Sequence, residues 1–301
     1  MFAVIDRATA RPPPPMDVSD SCAPEMRHKG EDMPEEASGH PGLGYARELL
    51  TQRHMKNMRH ELPPHMKSNV LELFVVGAAM AMDKKNPLVS YAEATSMDDD
   101  QKVLLVLYGK LENLGEIREL YDLLPPGEDP LDFSATSESA ELLMAMYLRG
   151  FVDAYGDCSA QPATCLDALQ GDWAMVLYDA SMEYLLVARD PGARAPLCWG
   201  TASETGALLF ASDIRLLKNE CGPGAAAASE FPAGCFFESM ETDEYGHVRS
   251  YVRRGKPMRA IGRVDSHGQL CGTMFRVASG DGIAGMSRNG SFGELAAQVA
   301  M

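Results

Sequence analysis

Runs of apolar residues along this chain alternate with long polar stretches, and the spacing within each run predicts the local structure. Phe2-Ala3-Val4-Ile5 is short, apolar and partly β-branched, which predicts a buried strand. Val70–Val76, ending at Gly77, predicts a second. In Lys102–Tyr108 the apolar residues are consecutive, as in a strand covered on both faces, and Gly109 permits a tight turn after it. Trp173–Tyr178 and Tyr184–Ala188 flank the polar Asp179–Glu183 and predict a hairpin. Further strands are predicted at Pro196–Trp199, Leu208–Ala211, Cys235–Glu238 and Val248–Val252. The period changes after Ser137. Leu142, Leu143, Met146, Tyr147 and Phe151 fall at helical spacing, with Ser137 as N-cap and Glu138 and Glu141 at the positive end of the helix dipole. A shorter helix is predicted over Glu116–Leu124, stopped by Pro125-Pro126-Gly127.

Between these runs the pattern lapses. Residues 11–66 open with Pro12–Pro15 and continue with little periodic apolar content, which predicts a disordered or loosely attached insertion with one short helix near Tyr45–Lys56. Met97–Asp100 reads as an acidic loop, Gly222–Ser229 as a loop insertion, and 278–301 as a flexible tail. The chain therefore divides into a first strand (1–10), the insertion (11–66), a globular body (67–277) and the tail. Many strands with few helices and no regular alternation indicate an α+β layered fold. No internal repeat is present.

Composition narrows the function classes. A net charge of −16 argues against binding nucleic acid and against anionic membrane surfaces. No apolar run reaches the ~20 residues that span a bilayer. The start of the chain lacks a secretory signal, because Asp6, Arg7 and Arg11 break any apolar core segment. The seven cysteines are scattered and form no C-x-x-C pair, so reduced thiols in the cytoplasm, or alternatively the nucleus, are expected. Cys22 reads as an exposed thiol in a mobile loop, and Cys235 as a packing residue.

The same residues exclude cofactor chemistry of the common kinds. Gly222, Gly224 and Gly234 do not make a phosphate-cradling loop before a helix. His28, His40, His54, His60 and His65 are interleaved with methionines, but the insertion reads as a disordered basic patch rather than a soft-metal site. No cofactor and no metal are expected. Arg189 and Asp190 read as fixing the end of a hairpin, and Trp173, Trp199, Phe236 and Phe237 as core aromatics.

Several segments, in order, resemble the class II glutamine amidotransferase domain of asparagine synthetase. They are Tyr108-Gly109-Lys110-Leu111-Glu112-Asn113, Ser137-Glu138-Ser139-Ala140-Glu141, Gly171–Asp179, Ala188-Arg189-Asp190 with Pro196-Leu197, and Phe210-Ala211-Ser212-Asp213. Glu112-Asn113-Leu114, Phe231–Phe237, Arg263–Gly268 and Cys271–Val277 further resemble the plant aluminium-induced (stem-specific) protein family, whose members begin Met-Leu-Ala where this chain begins Met1-Phe2-Ala3. The resemblance covers about 2–6 and 68–277. It departs at Tyr121-Asp122-Leu123, at Leu148–Asp153 and in the 11–66 insertion, which is unlike the family's usual segment.

This resemblance implies a four-layer α-β-β-α sandwich of the N-terminal-nucleophile hydrolase type. Glutamine hydrolysis on that fold needs an amino-terminal Cys, its α-amino group as base, and an oxyanion site. Here Phe2 stands in the nucleophile's place and Tyr108 in that of the oxyanion Asn; only Gly109 remains. Glu138 is the nearest counterpart of the carboxylate that holds the substrate amine. No catalytic residue is therefore assigned. Phe2, Tyr108, Gly109 and Glu138 are expected to line a residual ligand pocket for a small amino-acid-like molecule. The implied role is a stress- or nutrient-responsive binding or interaction module, with a protein partner or homo-oligomer as further candidates. The alternatives are an active glutaminase with rewired residues and a structural oligomerisation module without ligand.

Overall fold

A computed structural model describes residues 1–13, 16, 41–95, 102–123, 133–149, 162–221, 228–239, 247–264 and 270–277. The chain enters through β1 (Phe2–Ile5), followed by α1 (Pro41–His60) and α2 (Pro64–Lys67). Next come β2 (Val70–Val75), β3 (Ala78–Asp83), β4 (Val89–Thr95) and β5 (Lys102–Leu111). A mixed segment follows: α3 (Leu114–Leu120), β6 (Phe133–Ala135), α4 (Glu138–Leu148) and α5 (Pro162–Asp167). Then come β7 (Gly171–Asp179), β8 (Tyr184–Arg189), β9 (Cys198–Thr201), β10 (Leu208–Ala211) and α6 (Arg215–Cys221). The last strands are β11 (Ala228–Glu230), β12 (Cys235–Glu238), β13 (His247–Ser250), β14 (Lys256–Val264) and β15 (Leu270–Val277).

The strands form two antiparallel sheets, ordered β11-β9-β10-β1-β3-β2 and β15-β14-β13-β12-β8-β7-β5-β4-β6. Side-chain alternation divides the apolar residues into three layers. Ala3, Ile5, Trp199 and Phe210 of the smaller sheet meet Leu104, Val106, Val176 and Tyr178 of the larger one between the sheets. Leu105, Leu107, Met175 and Leu177 face outward and are covered by Leu142, Leu143 and Met146 of α4. Phe2, Val4, Ala79, Ala81 and Leu209 face the other way, beneath Met55 and Met58 of α1 and Leu217 and Cys221 of α6. The result is the expected α-β-β-α sandwich.

Most predicted elements appear within two or three residues. Ser137 caps α4 by accepting a hydrogen bond from the Ala140 N–H at 3.1 Å. The predicted helix at 116–124 is α3, shifted toward its start, and the strand at 196–199 is β9, shifted toward its end. Six strands, β3, β4, β6, β11, β14 and β15, come from segments with no strand prediction. β3, sequence Ala-Ala-Met-Ala-Met-Asp, carries no β-branched residue, yet it lies between β1 and β2, where pairing on both sides overrides intrinsic preference. β14 and β15 form one long antiparallel ladder at the edge of the larger sheet.

Two expectations need correction. Ala228–Glu230 is not loop but β11, paired antiparallel with β9. The 41–66 part of the insertion is not loosely attached: α1 runs 20 residues and docks on β1, β3 and α6. Thr51, His54, Met55, Met58 and Leu62 are buried at three-and-four spacing. Thr, His and Met weaken the apolar signal of that stripe, so the periodicity reads as polar. Cys22, Cys158, His28, His40, the 97–100 loop, Phe151 and the 278–301 tail lie outside the described residues.

Candidate functional site

The start of β1 is where the sequence resemblance aligns Phe2 with a nucleophile position. Phe2 pairs with Ala211 on one side and Ala81 on the other, and is 2 % exposed. Its ring belongs to the layer beneath α1 and α6, together with Val4. The side chain that β1 sends between the sheets at this end is Met1, followed by Ala3 and Ile5. The Met1 carbonyl accepts from the Ser212 N–H at 2.9 Å, and the Met1 amino group donates to the Ser212 hydroxyl at 3.2 Å. Burial lowers the pKa of this amine from 8.0 to about 6, against the opposing pull of Asp83. Ser212 lies in the Phe210–Asp213 motif, so its position was legible, but its role as the clamp on the first residue was not.

Tyr108 ends the apolar part of β5, half-buried, and packs on the layer between the sheets. Gly109 follows with φ +97°, and its N–H donates to the Leu88 carbonyl at 2.6 Å. A Cβ at Gly109 would lie 1.9 Å from the Asp172 carbonyl oxygen of β7. Backbone geometry alone therefore demands glycine here. Glu138 is exposed, in the first turn of α4, and α4 covers the outer face of the larger sheet. Phe2, Tyr108 and Glu138 thus belong to three different layers.

Arg189 is buried and donates to three carbonyls, those of Ala193, Ala195 and Phe231, each at 2.8 Å. It stitches the 193–195 loop and the start of the β12 segment to the hairpin end, rather than pairing with Asp190. Asp190 is buried beside it, and its backbone carbonyl accepts from Ala193 and Gly234. Cys165, Cys198, Cys221 and Cys235 are all buried. Burial pushes Cys198 and Cys235 up to about 11 and Cys221 to about 12, which keeps these three protonated at neutral pH.

Between α1 and α6 lies a half-open cleft of about 220 Å³ lined by Asn57, His60, Glu61, Leu216, Asn219 and Glu220. Among the described residues, no group of three or more His, Cys, Asp or Glu side chains is disposed to hold a metal ion. Nor is any helix among them long and apolar enough to cross a membrane.

The sequence profile of a family described as "Aluminium induced protein" matches residues 46–277. The match begins inside α1, so this helix belongs to the region shared with the family. Asparagine synthetase B [glutamine-hydrolyzing] of Escherichia coli (strain K12) is 28% identical over 178 residues, covering 59% of this chain and 27% of that protein. A probable asparagine synthetase [glutamine-hydrolyzing] of Dictyostelium discoideum is 26% identical over 166 residues, covering 55% and 25%. The chain therefore spans about a quarter of the length of these curated relatives. Among solved structures, glutamine phosphoribosylpyrophosphate amidotransferase from B. subtilis aligns with a TM-score of 0.40 at 19% identity, covering 58% of this chain and 35% of that one.

Proposed function

Because the chain belongs to the aluminium-induced protein family, an amidotransferase-like group, we propose that it is a non-catalytic member acting as a stress- or nutrient-responsive binding module. The burial of Phe2 beneath α1 and α6 carries this reading. A residue with no nucleophilic atom occupies the place of the catalytic Cys, and its ring is held by packing. Tyr108 in place of an oxyanion Asn is a second loss, of a kind that costs ~10²–10³ in rate by itself. The buried thiols with raised pKa offer no substitute nucleophile. The ligand proposed is a small amino-acid-like molecule held near Tyr108 and Met1 in the layer between the sheets.

The test pairs two measurements. Ammonia release from glutamine is followed for the natural chain beside Phe2→Cys, and no turnover is expected from the natural chain. Turnover that co-purifies with it through successive columns would overturn the reading in favour of an active glutaminase. Thermal shifts are then recorded with glutamine, glutamate, asparagine and aspartate. A ligand at about 100 times its Kd raises stability by about 2.7 kcal/mol, which is visible as a shift in Tm. No shift with any of the four would favour a structural oligomerisation role instead.

A further inference from the structure

His54 lies in the middle of α1 and is 2 % exposed. Each of its ring nitrogens meets a polar group from another element. Glu220 Oε2, on α6, contacts Nδ1, and Thr205 Oγ1, on the turn between β9 and β10, lies 2.8 Å from Nε2. The Thr205 oxygen also accepts from the Ala207 N–H at 3.3 Å. In the tautomer protonated at Nδ1, the Thr205 hydroxyl is the donor to Nε2. The carboxylate at Nδ1 favours the tautomer whose proton sits there and leaves Nε2 free as a base. Carboxylate, imidazole and hydroxyl stand in the order that turns an alcohol into a nucleophile.

Met55 and Met58 anchor the helix, and the His54–Glu220 contact joins it to α6. Thr205 differs from its partners in exposure: it is half-buried on a turn, whereas the base and the carboxylate are shielded. Gly206 follows with φ +71°, and the Arg7 side chain lies against it; a Cβ there would sit 2.7 Å from Arg7 Cδ and 3.3 Å from Nη1. The Arg7 side chain thus lies against the turn. This place is remote from the Phe2 site along the sheet. Phe2 is in register with Ala211 and Cys198, whereas the turn connects Thr201 and Leu208, which are in register at the Ile5 end.

We propose that Thr205, His54 and Glu220 form a second chemical site, in which Thr205 is acylated by small uncharged esters. The Thr205 oxygen attacks the ester carbonyl carbon while its proton passes to His54 Nε2. The carbonyl electron pair moves onto the carbonyl oxygen. Collapse of this intermediate expels the alcohol, which takes the proton from Nε2 and leaves an acyl ester on Thr205. Water then attacks that ester with His54 accepting its proton, the bond between the acyl carbon and the Thr205 oxygen breaks, and His54 returns the proton to that oxygen as the carboxylic acid leaves. Glu220 holds the imidazole in place and stabilises its protonated form. The chain's charge of −16 disfavours anionic esters.

The test uses the full chain with a fluorophosphonate probe and with p-nitrophenyl acetate, read by intact mass, peptide mapping and nitrophenolate release. One adduct is expected, mapped to Thr205 and abolished in Thr205→Val. Thr205→Ser, with a less hindered hydroxyl, should label faster than the natural chain. Glu220→Gln should slow labelling by at least tenfold, since general-base assistance contributes ~10²–10⁴. Absence of an adduct on the folded natural chain, or an adduct that survives Thr205→Val, overturns the proposal and leaves the row as a docking clamp. Because Thr205 lies on a turn, the Val and Ser variants decide the question even where a Glu220 variant fails to fold.

Discussion

The two helical layers of the sandwich are held by different means. On the larger sheet, α4 buries Ala140, Leu142, Leu143, Met144, Ala145 and Met146 in one apolar block, started by the Ser137 cap. On the smaller sheet, α1 buries Met55 and Met58 but also Thr51 and His54. Directional polar contacts complete its docking. His54 joins Glu220 and Thr205, Arg59 donates to Glu72 at 3.1 Å and to the Lys67 carbonyl at 3.1 Å, and Arg53 meets Glu204 at 2.7 Å. α4 has directional contacts too, the Tyr147 hydroxyl donating to Asp179 at 2.7 Å and Glu141 meeting Arg118 at 3.6 Å, but its buried face is almost wholly apolar. A layer held partly by charge and hydrogen bonds can be loosened locally, and that is the layer covering Phe2.

The sharpest way to break this contrast is to remove a large side chain from each layer. Leu142→Ala should cost about 2–5 kcal/mol and lower the urea midpoint of the whole domain. Met58→Ala should fall at the lower end of that range, because methionine leaves a cavity that neighbours fill more readily. Hydrogen exchange should then show α1 opening while β5 and β7 stay protected. Equal, global loss of protection in both variants would show that the layers unfold as one.

A smaller effect comes from the amine of Met1, in a chain that begins there. Its folded pKa of about 6 lies below the 8.0 of the unfolded state, so the fold favours the neutral form. Above pH 8 both states are neutral and stability is full. As pH falls through the window from 8 to 6, the unfolded chain takes up a proton that the folded chain does not, and stability drops by about 2–3 kcal/mol. Below 6 this loss is complete. Acetylating the amine should remove that part of the slope of Tm against pH; an unchanged slope would place its origin elsewhere.

The smallest effects separate capping from surface charge. Ser137→Ala should cost about 1 kcal/mol, with little dependence on salt. Arg59→Ala should cost less than about 1 kcal/mol for its partly exposed pair with Glu72, and the difference should shrink at 0.5 M NaCl. A salt-independent loss at Arg59 would mean that its bond to the Lys67 carbonyl matters more than the ion pair.

Legibility followed the strength of local patterning. β5, β7 and β8 are consecutive apolar runs, and α4 has cap, acidic first turn and stripe together, so each was readable where it stands. β3 was not, because alanine and methionine carry no strand preference and only the pairing with β1 and β2 makes that segment extended. α1 was read as a short helix in a loose insertion, because its buried stripe is built from residue types that also occur in unfolded polar chain. At the candidate site, motif order and spacing singled out Phe2, Tyr108 and Gly109, but the layers that Phe2 and Tyr108 pack in were not readable.

What the residues alone determined was the strand content of the central ladder, the capped helix α4, the family resemblance and a side chain without a nucleophilic atom at position 2. These depend on neighbours within a few positions, or on motif order along the chain. The tertiary structure decided that Phe2 points outward beneath α1 while Met1 faces the space between the sheets. It also set His54 between Glu220 and Thr205, partners 166 and 151 positions away. Contacts at such separations arise when two sheets and their covering helices pack together, and no local pattern in the chain encodes them.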